Sequence, residues 1–284
     1  MPPSSPNSEQ MDYWNASAGQ TWAQFYEQLD RQLSPLGSEA LRALAPRTGE
    51  CIVDIGCGCG QSSLDLARRV GPHGSVVGID ISSPMLAIAR QRELPPPTVR
   101  PAFRQLDAQS EDFGRSVFDA AFSRFGVMFF SEPVIAFTNI RAALKPGGRL
   151  GFVCWRALHE NPWMTTPLDA ALPFLPSLPP PDPMEPGPFA LADATRIRSI
   201  LDRAGFESIA VRPFDARIGE TDLEETLRLS LKVGPLGAAL RGHPECADRA
   251  AGAVREALSH FVTPNGVLMA AAVWIVLARN ATNR

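Results

Sequence analysis

Long hydrophobic runs, an excess of one charge and an export-type start are all missing from this chain. No apolar stretch reaches the roughly 20 residues that a helix needs to cross a bilayer, and the start MPPSSPNSEQ lacks a basic segment followed by an apolar one. The net charge is only −3, and its basic residues are scattered among acidic ones. We therefore expect a cytoplasmic protein with no membrane insertion and no nucleic-acid partner.

Cysteines are few, and their arrangement argues against a metal site. The five cysteines include the close pair Cys57 and Cys59, but no C-x-x-C pair or histidine cluster accompanies them. We expect no metal, and we interpret Cys51 and Cys154 as buried strand residues. Reduced thiols are consistent with the expected compartment.

The most informative segment present is residues 51–60, CIVDIGCGCG. Its first residues predict a buried strand with Asp54 at the carboxyl end, and Gly56, Gly58 and Gly60 allow the backbone to turn tightly against a ligand. A helix should follow, so that its positive N-terminus points into the same crevice. This arrangement is typical of a nucleotide-type binding loop.

The spacing of this loop excludes two common ligands. A dinucleotide fingerprint would place its third glycine at position 61, which is Gln61, and a carboxylate beside the loop gives a pyrophosphate no favourable contact. A phosphate-binding Walker loop is also excluded, since no Gly-Lys-Ser/Thr follows. Asp54 instead favours a ligand that carries an ammonium and a sulfonium group.

The run Asp54-Ile-Gly56-Cys-Gly58-Cys-Gly60 resembles the first motif, D/E-x-G-x-G-x-G, of the class I S-adenosylmethionine (SAM) dependent methyltransferases. The resemblance extends from about Trp14 to the C-terminus. It is closest to the bacterial small-molecule branch that includes the quinone-biosynthesis methyltransferases.

Strand and helix patterns alternate through residues 51–155 in the rhythm of a doubly wound parallel sheet. After the first strand, we predict strands at 75–79, about 99–106, 118–123 and 149–155, then at about 207–214 and 267–278. The resemblance implies an α/β fold with a mostly parallel, seven-stranded, Rossmann-like sheet whose last strand is antiparallel.

The predicted organisation has a core interrupted by cap segments. We expect a disordered tail at 1–10, a helical segment at 11–50, a SAM-binding core at 51–155, a Pro-rich acceptor-site insertion at 156–192, and the rest of the core at 193–284 with a helical insertion at about 222–262. The Leu-Pro-Pro-Pro run at 178–181 excludes an ordinary helix or inner strand there. Both insertions are predicted to cover the acceptor.

The resemblance implies roles for specific residues. The cofactor-binding candidates are Asp54, Gly56, Gly58, Gly60, Asp80, Ile81, Met85, Asp107, Ala108, Arg124, Phe125, Tyr13 and Trp14. Asp80 would accept both ribose hydroxyls, and Asp107 would accept the adenine amine. The backbone at Arg124 and Phe125 would close over the methionine end. Beyond strand five, Asn161 and Trp163 are acceptor-pocket candidates and His159 is the candidate general base.

Each of these candidates has a structural alternative. An aspartate at a strand end often caps the next element, and Arg124 is equally consistent with a structural salt bridge. Tyr13 and Trp14 fit a packed core, and His159 fits an exposed loop.

The expected function is SAM-dependent methyl transfer by in-line displacement to a small, partly apolar acceptor. Two alternatives stay open: a catalytically silent SAM-binding sensor or partner subunit, and an NAD-dependent oxidoreductase.

Overall fold

A twisted sheet forms the centre of the computed structural model, which describes residues 7–177, 182 and 184–282. Its strands are β1 (Cys51–Ile55), β2 (Ser75–Asp80), β3 (Ala102–Gln105), β4 (Phe118–Arg124), β5 (Leu144–Trp155), β6 (Phe206–Glu220), β7 (Val262–Thr263) and β8 (Gly266–Asn280). The order is β3-β2-β1-β4-β5-β8-β6, and the two-residue β7 pairs with β8. Strands β1 to β5 pair in parallel, whereas β8 is antiparallel to β5, β6 and β7. The predicted fold class is confirmed.

Eleven helices accompany the sheet within the described residues. They are α1 (Ser8–Asn15), α2 (Ser17–Gln24), α3 (Tyr26–Leu44), α4 (Gln61–Val70), α5 (Ser83–Gln91), α6 (Pro133–Ala143), α7 (Pro162–Ala171), α8 (Ala194–Arg203), α9 (Leu223–Ser230), α10 (Gly234–Gly242) and α11 (Ala247–Ser259). Helix α8 shows how the sequence sets the boundaries: the Asp193 carboxylate accepts the N–H groups of Thr195 and Arg196, and Gly205 follows the helix with a φ of +83°.

The parallel strands bring the ends of β1 and β2 and the turn after β3 to one edge of the sheet. Asp54 in β1 lies opposite Gly78 in β2, and Asp80 at the end of β2 lies opposite Gln105 in β3. The crevice at the carboxyl ends of the strands is where open α/β sheets bind ligands. The fold therefore gathers the predicted carboxylates at one place.

The N-terminal segment differs from the prediction of a disordered tail at 1–10. Residues 1–6 lie outside the described residues, but Ser8 to Gln10 already belong to α1. The Asn15 side chain explains this order, because it donates to the Ile81 carbonyl at 3.0 Å and accepts from the Ser83 N–H at 2.9 Å. These bonds fasten α1 to the loop between β2 and α5.

The first insertion is more helical, and β6 is longer, than the sequence pattern indicates. Helix α7 starts at Pro162, and proline suits the first helical position because no N–H is needed there. The prediction that the Leu-Pro-Pro-Pro run excludes a helix or inner strand concerns residues 178–181, which lie outside the described residues. Residues 222–262 fold into α9, α10 and α11. Strand β6 continues past Pro213 to Glu220 because it lies at the edge of the sheet, where a missing donor is tolerated.

In the described part of the chain, no helix combines the length and apolarity needed to cross a membrane. Over residues 7–177, 182 and 184–282, no group of three or more His, Cys, Asp or Glu side chains is arranged to hold a metal ion. The expectation of a metal-free site stays a prediction.

Candidate active site

Asp54 is a completely buried carboxylate beside the glycine loop. Its Oδ2 accepts hydrogen bonds from the hydroxyls of Ser62 at 2.7 Å and Ser63 at 2.6 Å, at the start of α4. Its Oδ1 has no partner among the described residues. Burial raises the pKa of Asp54 to about 6, although the two serine hydroxyls and Arg124 lower it. A buried carboxylate with one unpaired oxygen is suited to a cationic ligand group.

The glycine loop has the backbone that close ligand approach requires. Gly56 and Gly58 have φ values of +64° and +53°, in the region that other residues rarely adopt. A Cβ at Gly56 would lie 2.8 Å from the Cα of Gly126, so this position is packed against protein. A Cβ at Gly58 would meet only the sulfur of Met85, at 3.7 Å. Gly58 therefore borders open space inside the cavity, while Gly60 (φ +89°) starts α4 and packs on Phe103.

Asp80 faces the same cavity from the end of β2. Its Oδ2 accepts from the Gly58 N–H at 2.7 Å, and its Oδ1 accepts from the Ser82 N–H at 2.8 Å. Burial raises its pKa above the usual value, against the effect of these backbone donors. Since a carboxylate oxygen accepts more than one bond, each keeps acceptor capacity for a neighbouring pair of hydroxyls. Ile81 and Met85 line the cavity beside it.

Asp107 both organises its own turn and borders the cavity. Its Oδ1 accepts from the Gln109 N–H at 2.9 Å, and its Oδ2 accepts from the Ser110 hydroxyl at 2.7 Å. The Asn7 amide donates to the same Oδ1 at 3.1 Å. Asp107 therefore caps its own turn, as its structural alternative predicted. The Asn7 amide donates to the same carboxylate that is predicted to accept the adenine amine. Ala108 lines the cavity next to it.

Arg124 and Phe125 follow β4 at the cavity wall. The Arg124 guanidinium donates to Asp30 Oδ1 at 2.7 Å, and Arg92 donates to Asp30 Oδ2 at 2.8 Å. This shared aspartate fastens α3 to the glycine-loop side of the site, so Arg124 does make the structural salt bridge that the sequence left open. Phe125 has a φ of +62°, and its ring stacks on Trp155 with centroids 4.3 Å apart. A bulky residue in this backbone region is strained, and such strain clusters at functional sites.

Tyr13 and Trp14 line the cavity from the N-terminal side. The Trp14 ring meets Phe129 edge-on at 5.0 Å and Trp22 at 6.0 Å. The Tyr13 hydroxyl accepts from Arg241 of α10 at 3.0 Å. The N-terminal helices and the second insertion therefore meet across the cavity.

Of the three candidates beyond β5, the structure brings only Trp163 to the cavity. His159 is exposed in a short 3-10 turn outside the cavity lining, as its structural alternative predicted, and its role as general base stays a prediction. Asn161 is completely buried and also outside the lining, because its amide donates to the Ala157 carbonyl at 3.0 Å and accepts from the Ala272 N–H at 2.9 Å. It ties the start of α7 to β8, and its role in the acceptor pocket stays a prediction. Trp163 packs on Trp155 at 5.1 Å.

One cavity of about 710 Å³, within the usual range for ligand sites, is lined by most of the predicted cofactor residues. Asp54 lies outside its lining and is linked to it through Ser62, which lines the cavity and donates to the Asp54 carboxylate. The cavity extends from Asp80, Gly58 and Asp107 to a wall of Phe125, Trp155, Trp163, Met164, Leu168 and Phe189. Sequence reasoning missed Trp155, Phe189, Asp30, Asn7 and Arg241 as lining residues. The sequence could have indicated Trp155, because it ends a predicted strand. The other four residues reach the cavity through contacts between distant segments of the chain.

Known proteins match part of the chain. Residues 52–148 match the family described as "Methyltransferase domain". Aklanonic acid methyltransferase DauC of Streptomyces sp. (strain C5) is 32% identical over 42% of this chain and 54% of its own length. The demethylmenaquinone methyltransferase of Lactococcus lactis is 31% identical over 44% of this chain and 48% of its own length.

The chain thus spans about half the length of these curated relatives. Among solved structures, the phosphoethanolamine N-methyltransferase 2 of Haemonchus contortus, in complex with SAM, superposes with a TM-score of 0.58. It is 17% identical and covers 96% of this chain and 60% of its own, which shows a shared fold. The domain match, the relatives and the sheet topology support a class I SAM-dependent methyltransferase of the bacterial small-molecule type.

Proposed function

We propose that this chain binds SAM at the carboxyl edge of the sheet and transfers its methyl group to a small, partly apolar acceptor. The observation that carries the proposal is the open space at Gly58 in the cavity, together with the unpartnered Oδ1 of the buried Asp54, whose hydrogen-bond partner Ser62 lines the same cavity. These two features fit a ligand that brings a cation and approaches the backbone closely.

The chain's own residues account for cofactor recognition. Asp54 attracts the ammonium group, Asp80 accepts the two ribose hydroxyls, and Asp107 faces the adenine amine. The bound cofactor supplies an electrophilic methyl group on its sulfonium. We propose that Ile81, Met85 and Ala108 contact the adenosine, with Phe125 over the methionine end, because these residues line the same cavity.

The acceptor would lie against the aromatic wall formed by Phe125, Trp155 and Trp163. These rings exclude water and present flat apolar surfaces, so their contribution is to hold the acceptor in line with the methyl group. His159 lies outside this wall. We therefore propose catalysis by positioning, with an acceptor atom that loses its proton without a histidine base.

We further propose that the insertions at 156–192 and about 222–262 cover the acceptor and set its specificity. Leu168 of α7, Phe189 and Ala238 of α10 all line the cavity, which supports this assignment. The core at 51–155 and the remaining parts at 11–50 and 193–284 supply the cofactor side and the framework. The cytoplasmic location stays a prediction from the sequence.

Calorimetry with SAM and with NADH tests the cofactor assignment against the oxidoreductase alternative. Gly58→Ala should abolish SAM binding, because the methyl group enters the cofactor space. Gly71→Ala is a matched control: Gly71 has a φ of +68°, and its Cβ would meet only Thr48, also at 3.7 Å. Gly71 has a ψ of −169°, a combination with positive φ that is essentially restricted to glycine, so Gly71→Ala tests whether backbone strain alone affects binding, and it should keep SAM affinity. If both variants kept the same SAM affinity, the glycine loop would not be part of the SAM-binding site.

An acceptor assay tests the silent-sensor alternative. The protein is incubated with SAM and with demethylmenaquinone or aklanonic acid, the compounds that give two relatives their names. Mass spectrometry then measures S-adenosylhomocysteine and methylated product above the protein-free control. Methyl transfer to either acceptor supports the enzyme. Tight SAM binding without transfer to any acceptor in a wider panel would favour a silent binding module.

A further inference from the structure

Trp163 separates the large cavity from a second, very small one. The small cavity measures about 10 Å³ and is lined by residues of α3, α7, β6, α9 and α10. Trp163 and Met164 border both cavities, as do residues 233–235. Contacts that hold the Trp163 ring on the side of the small cavity therefore also shape the proposed acceptor wall.

Three polar groups that line the small cavity have a buried atom without a hydrogen-bond partner in the described structure. They are the indole Nε1–H of Trp163, the Oε1 of Glu220 and the Oε1 of Gln32. One is a donor and two are acceptors. Leaving such groups unpaired in the interior costs stability, so their shared location calls for a common partner.

Glu220 is the most costly member of this group. Its side chain is 1% exposed, and its Oε2 accepts from Arg31 at 3.0 Å. Burial raises the pKa of Glu220, against the effect of the Arg31 hydrogen bond and charge. The salt bridge to Arg31 accounts for one carboxylate oxygen, whereas the other faces the interior. A structural ion pair alone does not explain that second oxygen.

One water molecule would satisfy all three groups together. Water donates two hydrogen bonds, here to Glu220 and Gln32, and accepts one, here from Trp163. A cavity of about 10 Å³ is close to the space that a single buried water needs. A direct bond from the indole to either acceptor would leave the other acceptor unpaired.

We propose that Glu220 is a positioning residue for the acceptor wall and that it holds the Trp163 indole through one buried water shared with Gln32. The assignment of this wall to the acceptor rests on the proposed function. Calorimetry of SAM binding to each variant distinguishes failure of the positioning role from failure of the proposed function. A variant with normal SAM affinity tests only the positioning role.

Nuclear magnetic resonance of the ¹⁵N-labelled indoles tests the water directly. The chain has five tryptophans, and Trp163→Phe assigns the Trp163 signal by its disappearance. We expect slow exchange of the Trp163 Nε1 proton and a cross-peak from it to a long-lived water. A proton that exchanges freely with solvent, or the absence of that cross-peak, would overturn the proposal even if no Glu220 variant folds.

Affinity for an apolar fluorescent probe, N-phenyl-1-naphthylamine, tests the positioning role on the SAM-bound protein. Glu220→Gln should weaken probe binding about tenfold or more, the scale of one hydrogen bond to a charged group, without a change in SAM affinity. Arg31→Gln is the matched control, because it breaks the same ion pair but lies outside the small cavity, and it should leave probe affinity within twofold. In the Trp163→Phe background, Glu220→Gln should have no further effect on the probe. An equal loss of probe affinity in Arg31→Gln, or additive losses in the double variant, would overturn the positioning role. Glu220 would then act only as the partner of Arg31 in a structural ion pair.

Discussion

Asp54→Asn should make the cofactor-free protein more stable while weakening SAM binding. The substitution keeps the size of the side chain and an oxygen for the Ser62 and Ser63 hydroxyls, but it removes a buried charge. The charge is costly because burial raises the pKa of Asp54 from 3.8 to about 6. A difference of about 2 pKa units corresponds to about 3 kcal/mol at neutral pH.

The pH dependence gives the sign of this effect. The folded protein binds a proton at Asp54 more tightly than the unfolded chain does, so the free energy of unfolding falls as the pH rises from 3.8 to about 6. The penalty is absent below pH 3.8 and complete above pH 6. Urea unfolding of both proteins should therefore show a stability advantage for Asp54→Asn at pH 7 that disappears near pH 4.

Binding should change in the opposite direction. Loss of the carboxylate removes an interaction with the ammonium group worth about 1.5–3 kcal/mol, or roughly ten- to a hundredfold in SAM affinity. Calorimetry should also show that the affinity of the unmodified protein falls as the pH drops below 6, whereas that of the variant stays flat. A variant that is less stable at pH 7 and binds SAM normally would refute both the buried-charge argument and the ammonium assignment.

Three further substitutions test other parts of the site. Asp80→Ala should weaken SAM binding by about 1.5–3 kcal/mol, roughly ten- to a hundredfold, and unchanged affinity in calorimetry would exclude the ribose contact. Asp30→Asn removes the shared partner of Arg92 and Arg124 and should lower the free energy of unfolding by about 2 kcal/mol. Asp65→Asn breaks the exposed pair with Arg68 and should change the free energy of unfolding by less than about 0.5 kcal/mol. Equal effects of the two substitutions would contradict a special role for the Asp30 ion pairs. His159→Ala should leave the methyl-transfer rate within about twofold because the ring is exposed outside the cavity, and a large loss with a changed pH profile would restore it as a base.

The cofactor side of the site was readable from the sequence because its signals are local. A carboxylate at the end of a β-strand and glycines at alternate positions are neighbours in the chain, and parallel strands carry their ends to one edge. Asp54, Gly58 and Asp80 accordingly lie together in the structure. Their contacts with SAM remain predictions that the calorimetry tests.

The acceptor side depends on contacts between distant segments, which periodicity does not encode. Asn161 follows a strand just as a pocket residue would, but its amide is used to bridge Ala157 and Ala272. His159 precedes it in an exposed turn. Phe189 and Arg241 reach the cavity only because the insertions fold over it, and no short motif marks them.

Carboxylates at the two edges of the sheet have opposite pKa shifts, and this difference separates framework from site. At the amino edge, Asp119 has a lowered pKa despite partial desolvation, because Lys145 and the Cys51 N–H stabilise its charge. At the carboxyl edge, burial raises the pKa of both Asp54 and Asp80. The strained backbone of Phe125 and the open loop at Gly58 lie at that same edge. A fold selected for stability alone would pair Asp54 as it pairs Asp119. We therefore propose that a cationic ligand group satisfies the unpaired oxygen of Asp54.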